Sequence, residues 1–120
     1  MIEDEDNIRL IAQIGLEDRP GWQVLSAASG LEGLALAAQE QPDLILLDMM
    51  MAGMDGRVTL AKLRENPVTA KIPVIFMTAK AQKQELEAYA ALGVVGVITK
   101  PFDPTHLSEE IEQLVGSLCK

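Results

Sequence analysis

The stretch Leu44-Ile45-Leu46-Leu47, followed directly by Asp48, decides the fold class of this chain. It is a short apolar run without alternating polar residues, which is typical of a strand buried on both faces of a parallel sheet. Two further runs share this character: Val74-Ile75-Phe76-Met77, which ends at Thr78, and Val94-Val95-Gly96-Val97-Ile98, which leads into Thr99-Lys100-Pro101. The pattern predicts three buried parallel strands, each ending beside a polar residue.

The segments between these runs have helical periodicity, with apolar side chains spaced three or four residues apart. The predicted stripes are Leu10, Ile11 and Ile14; Leu31, Leu34, Ala35 and Ala38; Leu60 and Leu63; and Leu107, Ile111, Leu114 and Leu118. A weaker helix is predicted from Gln84 to Leu92, and Asp103-Pro104 is expected to cap and begin the last helix. Strands that alternate with helices indicate βαβ units. We therefore predict a doubly wound α/β fold, a five-stranded parallel sheet with helices on both faces.

The two remaining strands have weaker signals. Trp22 to Ala27 mixes polar and apolar residues, which favours an edge strand. Only Met1 and Ile2 precede the acidic run Glu3-Asp4-Glu5, whereas a typical strand has about five or six residues. The first strand is therefore expected to be truncated, either because it is a stub or because the sequence starts late.

Composition narrows the class of protein. The 120 residues fit one domain, and the single cysteine, Cys119, excludes an internal disulfide. A net charge of -8 and an aromatic content of 3% disfavour a nucleic-acid surface. No apolar stretch approaches the roughly 20 residues of a membrane span. We expect a single cytoplasmic domain over residues 1–120 that contacts neither nucleic acid nor membrane.

Chemically reactive side chains follow the predicted strands at one edge of the sheet, where functional groups of such folds gather. They are Glu3, Asp4, Glu5, Asp48, Thr78 and Lys100. Carboxylates at close range repel one another unless a cation lies between them, and an oxygen-only set of ligands favours Mg²⁺ over zinc. A carboxylate beside Mg²⁺, with a lysine and a hydroxyl opposite, is suited to accepting a phosphoryl group.

Together these residues resemble the receiver domains of two-component response regulators. The matching stretches are Glu3-Asp4-Glu5, Asp43 to Asp48 with Met49 to Gly56 after it, Phe76-Met77-Thr78-Ala79, and Thr99-Lys100-Pro101-Phe102. The resemblance covers essentially the whole chain. It implies the flavodoxin-like strand order 2-1-3-4-5.

The resemblance also implies a role for each site residue. Asp48 is the expected phosphoacceptor, Thr78 would hydrogen-bond the phosphoryl oxygen, and Lys100 would pair with it. The implied cofactor is Mg²⁺ or Mn²⁺, with ligands from Asp4, Asp48, the backbone carbonyl of Met50, and Glu3 through a water molecule. The peptide bond between Lys100 and Pro101 is expected to be cis.

The family further implies a signalling switch and not a conventional enzyme. The phosphoryl donor would be a histidine kinase or a histidine phosphotransfer protein, and the recipient of the signal a downstream output protein or domain. No output domain is expected within residues 1–120.

Three departures from the family pattern stand out. Ala52 replaces a frequent proline, and Val97 replaces an aromatic residue that swings inward on activation in the family. The third is the short first strand; if residue 1 is the true terminus, a terminal amine would lie close to Glu3 and Asp4 and compete with Mg²⁺. We expect weaker metal binding than is usual for the family.

Two alternatives stay open. One is a receiver fold that serves as a binding module without accepting phosphate. The other, more distant, is a small phosphatase with an Asp nucleophile. Such an enzyme needs a second Asp two residues after the nucleophile, where this chain has Met50.

Lys80 and Met50 flank the inferred site and are expected to tune the lifetime of the phosphoryl group.

Overall fold

The sheet is built from the three apolar runs that the sequence predicts as buried strands. The structure, a computed structural model, describes residues 1–17, 21–51, 53–79 and 82–116. The strands are β1 (Ile45–Asp48), β2 (Val74–Thr78) and β3 (Gly96–Thr99). The helices are α1 (Asp6–Glu17), α2 (Gly30–Glu40), α3 (Gly56–Glu65), α4 (Lys83–Ala91) and α5 (Leu107–Gly116).

The three strands are parallel and lie in the order β1-β2-β3. Two single-residue parallel bridges extend the sheet on the other side of β1, from Ile2 to Leu47 and from Ile2 to Ala27. Across the sheet the order is thus Ala27, Ile2, β1, β2, β3. This is the order 2-1-3-4-5, and the predicted doubly wound architecture is confirmed.

The two weaker strands of the predicted sheet, at residues 1–2 and 22–27, are shorter than predicted. Within the described residues, the expected first strand is a bridge at Ile2, and the expected edge strand over 22–27 is a bridge at Ala27. The backbone N–H of Ile2 donates to Leu46 at 2.8 Å, that of Asp48 donates to Ile2 at 2.9 Å, and that of Glu3 donates to Ala27 at 3.0 Å. These three hydrogen bonds place Glu3 beside the end of β1.

Two apolar layers cover the two faces of the sheet, as expected for a doubly wound fold. One layer contains buried residues of α2, α3 and α4 against Leu47 and Phe76. The other contains buried residues of α1 and α5 against Leu46 and Ile75. Adjacent strand residues belong to opposite layers because successive side chains of a strand point to opposite faces.

The predicted apolar stripe of α1 is wrong, and that of α2 is only partly right. Leu10, Ile11 and Ile14 of α1 are exposed, whereas Ala12 and Leu16 are buried. In α2 Leu31 is exposed, but Leu34 packs against the apolar layer that contains Phe76, and the buried residues include Gly33. Close packing explains the difference. A methyl group added at Gly15 would lie 2.4 Å from the Pro104 carbonyl oxygen, and one at Gly33 would lie 2.4 Å from Ile2. Small residues let each helix approach its neighbour.

The last helix also begins later than predicted. Asp103 accepts a hydrogen bond from the backbone N–H of Thr105 at 2.9 Å, and Pro104 lies in a turn before α5 starts at Leu107. Leu107 and Ile111 are buried as expected, and Leu118 lies outside the described residues. Among the described residues no helix is long and apolar enough to cross a membrane.

A cavity of about 810 Å³ lies at the amino-terminal end of β1. Its walls include Met1, Trp22, Val24 and Leu44. It is therefore at the opposite end of β1 from Asp48.

Candidate functional site

Parallel pairing brings the ends of the strands together. Asp48 is the last residue of β1 and pairs with Met77, while Thr78 is the last residue of β2 and pairs with Thr99. Lys100 follows Thr99, and its backbone N–H donates to the Thr78 carbonyl at 2.8 Å. The polar residues after the three strands therefore meet at one edge of the sheet.

Lys100 lies between two buried carboxylates. Its Nζ atom is 2.8 Å from Oδ1 of Asp48, 3.3 Å from Oε2 of Glu3 and 3.4 Å from Oε1 of Glu3. Glu3 is 0% exposed and Asp48 is 1% exposed. The Lys100 ammonium group therefore hydrogen-bonds to two carboxylates that have almost no access to water.

The pKa values of this group reflect burial and mutual charge. Burial, followed by the hydrogen bond and the charge of Asp48, raises the pKa of Glu3 to about 7, against a smaller opposing effect of Lys100. Burial alone would lower the pKa of Lys100, but hydrogen bonding and charge from Asp48 and then Glu3 outweigh it and raise that pKa. Two carboxyl groups, of Glu3 and Asp48, thus share the one positive charge of Lys100.

Glu3, Asp4 and Asp48 form an acidic cluster that fits a hard divalent cation. Each offers a carboxylate oxygen, and these atoms lie within 4.8 Å of one another. The donors are oxygens only, which suits Mg²⁺ or Mn²⁺ better than zinc. Glu3 and Asp48 are both buried, so a cation between them would offset carboxylate charge that water cannot reach. The residues present therefore fit the metal that the sequence pattern implies.

The other two expected site residues border this cluster. The backbone N–H of Met50 donates to Oδ1 of Asp48 at 3.3 Å, while its side chain is 67% exposed. Thr78 is buried at the end of the strand adjacent to β1. The peptide bond between Lys100 and Pro101 is cis, as expected.

Two residues without a predicted role help to position the site. A guanidinium N–H of Arg9 donates to the Glu3 carbonyl at 2.9 Å, and the same side chain pairs with Asp6. The spacing of Asp6 and Arg9 on one helical face was the available sequence signal. Gly56 begins α3, and a methyl group there would lie 2.7 Å from the Asp48 carbonyl oxygen. The glycine allows α3 to start directly against Asp48.

Some sequence expectations fall elsewhere. Ala52, Lys80 and Cys119 lie outside the described residues. Val97 is half-buried and packs against the apolar layer that contains Phe76. Because valine is aliphatic, the side chain at that position cannot act as an aromatic switch.

A comparison with protein families matches residues 1–112 to the response regulator receiver domain. The chain is 45% identical over 97 residues to a probable transcriptional regulator, ycf29, of Pyropia yezoensis, covering 80% of this chain and 43% of that protein. It is 32% identical over 116 residues to Protein PilH of Pseudomonas aeruginosa, covering 97% of this chain and 96% of that protein. It spans less than half the length of several curated relatives that it matches.

Solved structures give the same result. A crystal structure of the chemotaxis protein CheY4 of Vibrio cholerae superposes with a TM-score of 0.85 at 27% identity. The alignment covers 94% of this chain and 93% of that chain.

Proposed function

Because this chain belongs to the response regulator receiver domain family, we propose that it is a phosphorylation-dependent signalling switch in which Asp48 accepts the phosphoryl group. The observation that carries the proposal is the 2.8 Å contact between Lys100 and the buried Asp48, beside the acidic residues Glu3 and Asp4. A carboxylate next to a fixed ammonium and a cation site has the partners that phosphoryl transfer requires.

The proposed reaction transfers a phosphoryl group from a phosphohistidine of a histidine kinase or a phosphotransfer protein. An Oδ atom of Asp48 attacks phosphorus, an O–P bond forms, and the N–P bond breaks with its electron pair returning to the imidazole nitrogen. Lys100 neutralises a phosphoryl oxygen from its position against Asp48. Mg²⁺ or Mn²⁺, held by Asp4, Asp48, the Met50 carbonyl and Glu3 through water, would offset the remaining negative charge.

Hydrolysis of the acyl phosphate resets the switch. Water attacks phosphorus, inorganic phosphate leaves, and the Asp48 carboxylate is restored. This self-limited cycle is not turnover of an external substrate by a conventional enzyme.

The modified state would differ at the ends of β2 and β3. The Thr78 hydroxyl would donate to a phosphoryl oxygen, and the hydrogen bond between the Lys100 N–H and the Thr78 carbonyl couples the two loops. A downstream output protein or domain would then recognise the altered surface of α4, β3 and α5. The phosphoryl group needs only to bias an equilibrium between two states of similar free energy.

Intact-mass measurement after incubation with Mg²⁺ and acetyl phosphate tests this proposal. We expect one hydroxylamine-labile phosphoryl adduct on the wild type and none on Asp48→Asn. The matched control is Asp55→Asn, which changes a nearby exposed carboxylate whose side-chain oxygen caps α3. Asp55→Asn should accept phosphate as the wild type does.

The two alternatives give different results in the same assay. A folded wild type that forms no adduct would indicate a binding module that is not phosphorylated. Sustained hydrolysis of p-nitrophenyl phosphate would indicate a phosphatase. The second acid that such an enzyme needs is absent from the position two residues after Asp48, where Met50 presents an exposed thioether side chain.

A further inference from the structure

Helix α4 has a single fully buried side chain, with Glu85 half-buried and its other residues exposed. Of its nine residues only Tyr89 is buried, at 2% exposure. Gln82, which precedes the helix, makes no side-chain capping bond, whereas Ser29 caps α2 and Asp55 caps α3. With one anchor and no side-chain cap at its start, α4 is held less firmly than α2 and α3.

The ring of Tyr89 connects α4 to two other elements. It packs edge-on against Phe76 of β2, with the ring centroids 5.6 Å apart and the ring planes at 78°. The guanidinium carbon of Arg57, at the start of α3, lies 5.8 Å from the centre of the same ring. Both contacts depend on the position of the aromatic ring.

The contact on Phe76 lies close to the proposed phosphorylation site. Phe76 and Thr78 point to the same face of β2 because they are two residues apart. In the sheet Phe76 pairs with Leu47, the residue before Asp48, and with Val97, three residues before Lys100. The Tyr89 ring therefore rests on the face of the sheet that carries Leu47, Phe76 and Val97, and Thr78 is the site residue on that face.

We propose that Tyr89 transmits the state of Asp48 to α4. The inference rests on the proposed function. When the Thr78 hydroxyl turns toward a phosphoryl group, the face of β2 that carries Thr78 and Phe76 repacks, and the Tyr89 ring passes this change to α4 through its contacts with Phe76 and Arg57. An aromatic side chain on α4 thereby provides a link that the aliphatic Val97 does not.

Fluorine NMR tests the inference directly. The chain has one tyrosine, so fluorotyrosine labelling gives a single resonance from Tyr89. We expect this resonance to shift on addition of acetyl phosphate and Mg²⁺ in proportion to the adduct measured by mass on the same sample. Mg²⁺ alone, or both reagents with Asp48→Asn, should not produce that shift.

The outcomes separate the two proposals. An adduct with an unmoved Tyr89 resonance overturns the inference and leaves the proposed function standing. Absence of an adduct on the folded protein overturns the proposed function and, with it, the inference.

Hydrogen exchange provides a second measurement that does not need phosphorylation. In Tyr89→Leu the amides of α4 should exchange about tenfold faster or more, because the helix has lost its ring contacts. Tyr89→Phe keeps the ring and should retain slow exchange. The matched control is Leu86→Ala, which removes a 39% exposed apolar side chain from the same helix. Equal exchange of α4 in Tyr89→Leu and Leu86→Ala would overturn the anchoring role.

Discussion

The Nζ atom of Lys100 lies 2.8 Å from Oδ1 of Asp48, a contact between residues 52 positions apart in the chain. The same ammonium reaches Glu3 at 3.3 Å, so one cation is shared by two buried carboxylates. Breaking such a group by removing one member leaves an uncompensated buried charge. The arrangement therefore links stability, metal binding and the proposed chemistry in one small cluster.

Replacing Lys100 by Gln should impair both phosphorylation and stability. We expect the initial rate of adduct formation from acetyl phosphate to fall about tenfold or more, since a fixed positive charge beside the reacting oxygen is lost. The free energy of unfolding of the metal-free protein should fall by about 3–5 kcal/mol, and Mg²⁺ should restore part of it.

Intact mass and urea denaturation measure these two effects of Lys100→Gln. Lys62→Gln, at an exposed position on α3, is the control and should behave as the wild type within about 0.5 kcal/mol. A wild-type rate in Lys100→Gln would contradict the role assigned to the ammonium.

The buried carboxyl of Glu3 should make stability depend on pH. Burial and the neighbouring Asp48 raise its pKa from 4.5 to about 7, so the native state holds this proton more tightly than the unfolded chain does. Its stabilising contribution is complete below pH 4.5 and is lost as the pH rises through about 7. The Tm of the metal-free protein should fall over that range, and Glu3→Gln should flatten the fall. Glu5→Gln, at an exposed neighbour, is the control, and equal slopes in both variants would count against this assignment.

Divalent cations should stabilise the fold through the acidic cluster. A ligand that binds only the native state at 100 times its Kd raises the free energy of unfolding by about 2.7 kcal/mol. We expect Mg²⁺ to raise the Tm, and Asp4→Asn to require about tenfold more Mg²⁺ for the same rise. Thermal denaturation across a Mg²⁺ titration measures this, with Glu5→Gln again as the control. The amine of Met1, which was expected to compete with Mg²⁺, donates to the Leu25 carbonyl at 2.7 Å. The weaker than usual affinity stays a prediction, which a sub-millimolar Kd would contradict.

The sequence predicted the strands and their polar ends because both signals are local. An apolar run such as Leu44 to Leu47 can be buried on both faces only in a covered sheet, and parallel strands place their carboxyl ends at one edge. That reasoning alone puts Asp48, Thr78 and Lys100 near one another. The structure adds the distances and the sharing of Lys100 between Asp48 and Glu3.

The buried face of α1 was predicted wrongly because the choice of face depends on the neighbouring element. Leu10 and Ile14 are exposed, whereas Ala12 and Leu16 are buried and Gly15 lies directly against Pro104, where a larger side chain would not fit. Hydrophobic periodicity indicates which side chains gain from leaving water. It does not indicate which side chains are small enough to fit against a neighbouring element in a closely packed interior. The spacing of Asp6 and Arg9 indicated a pair on one helical face, but the bond from Arg9 to Glu3 was not predicted because its acceptor is a backbone carbonyl.

Gly56 should be intolerant of even a methyl group. A Cβ atom there would lie 2.7 Å from the Asp48 carbonyl oxygen and 2.8 Å from Cα of Met49, both backbone atoms that cannot yield cheaply. We expect Gly56→Ala to lower the free energy of unfolding by about 1–3 kcal/mol. Urea denaturation measures the loss, with Lys62→Ala on the same helix as a control near the wild-type value. Unchanged stability would show that α3 can shift away from β1 without cost.

Replacing Thr78 should abolish the response of α4 to phosphorylation without preventing phosphorylation of Asp48. Thr78→Val keeps the branched shape at a buried strand position but removes the hydroxyl. Because the proposed nucleophile and its ammonium remain, Thr78→Val should still form the adduct. It should not show the phosphorylation-dependent change in hydrogen exchange of α4, since no hydroxyl is available to bind the phosphoryl oxygen. Thr78→Ser retains the hydroxyl and should recover the response. Mass and exchange measured on the same samples decide the question, because a full α4 response in Thr78→Val would require a route that bypasses this side chain.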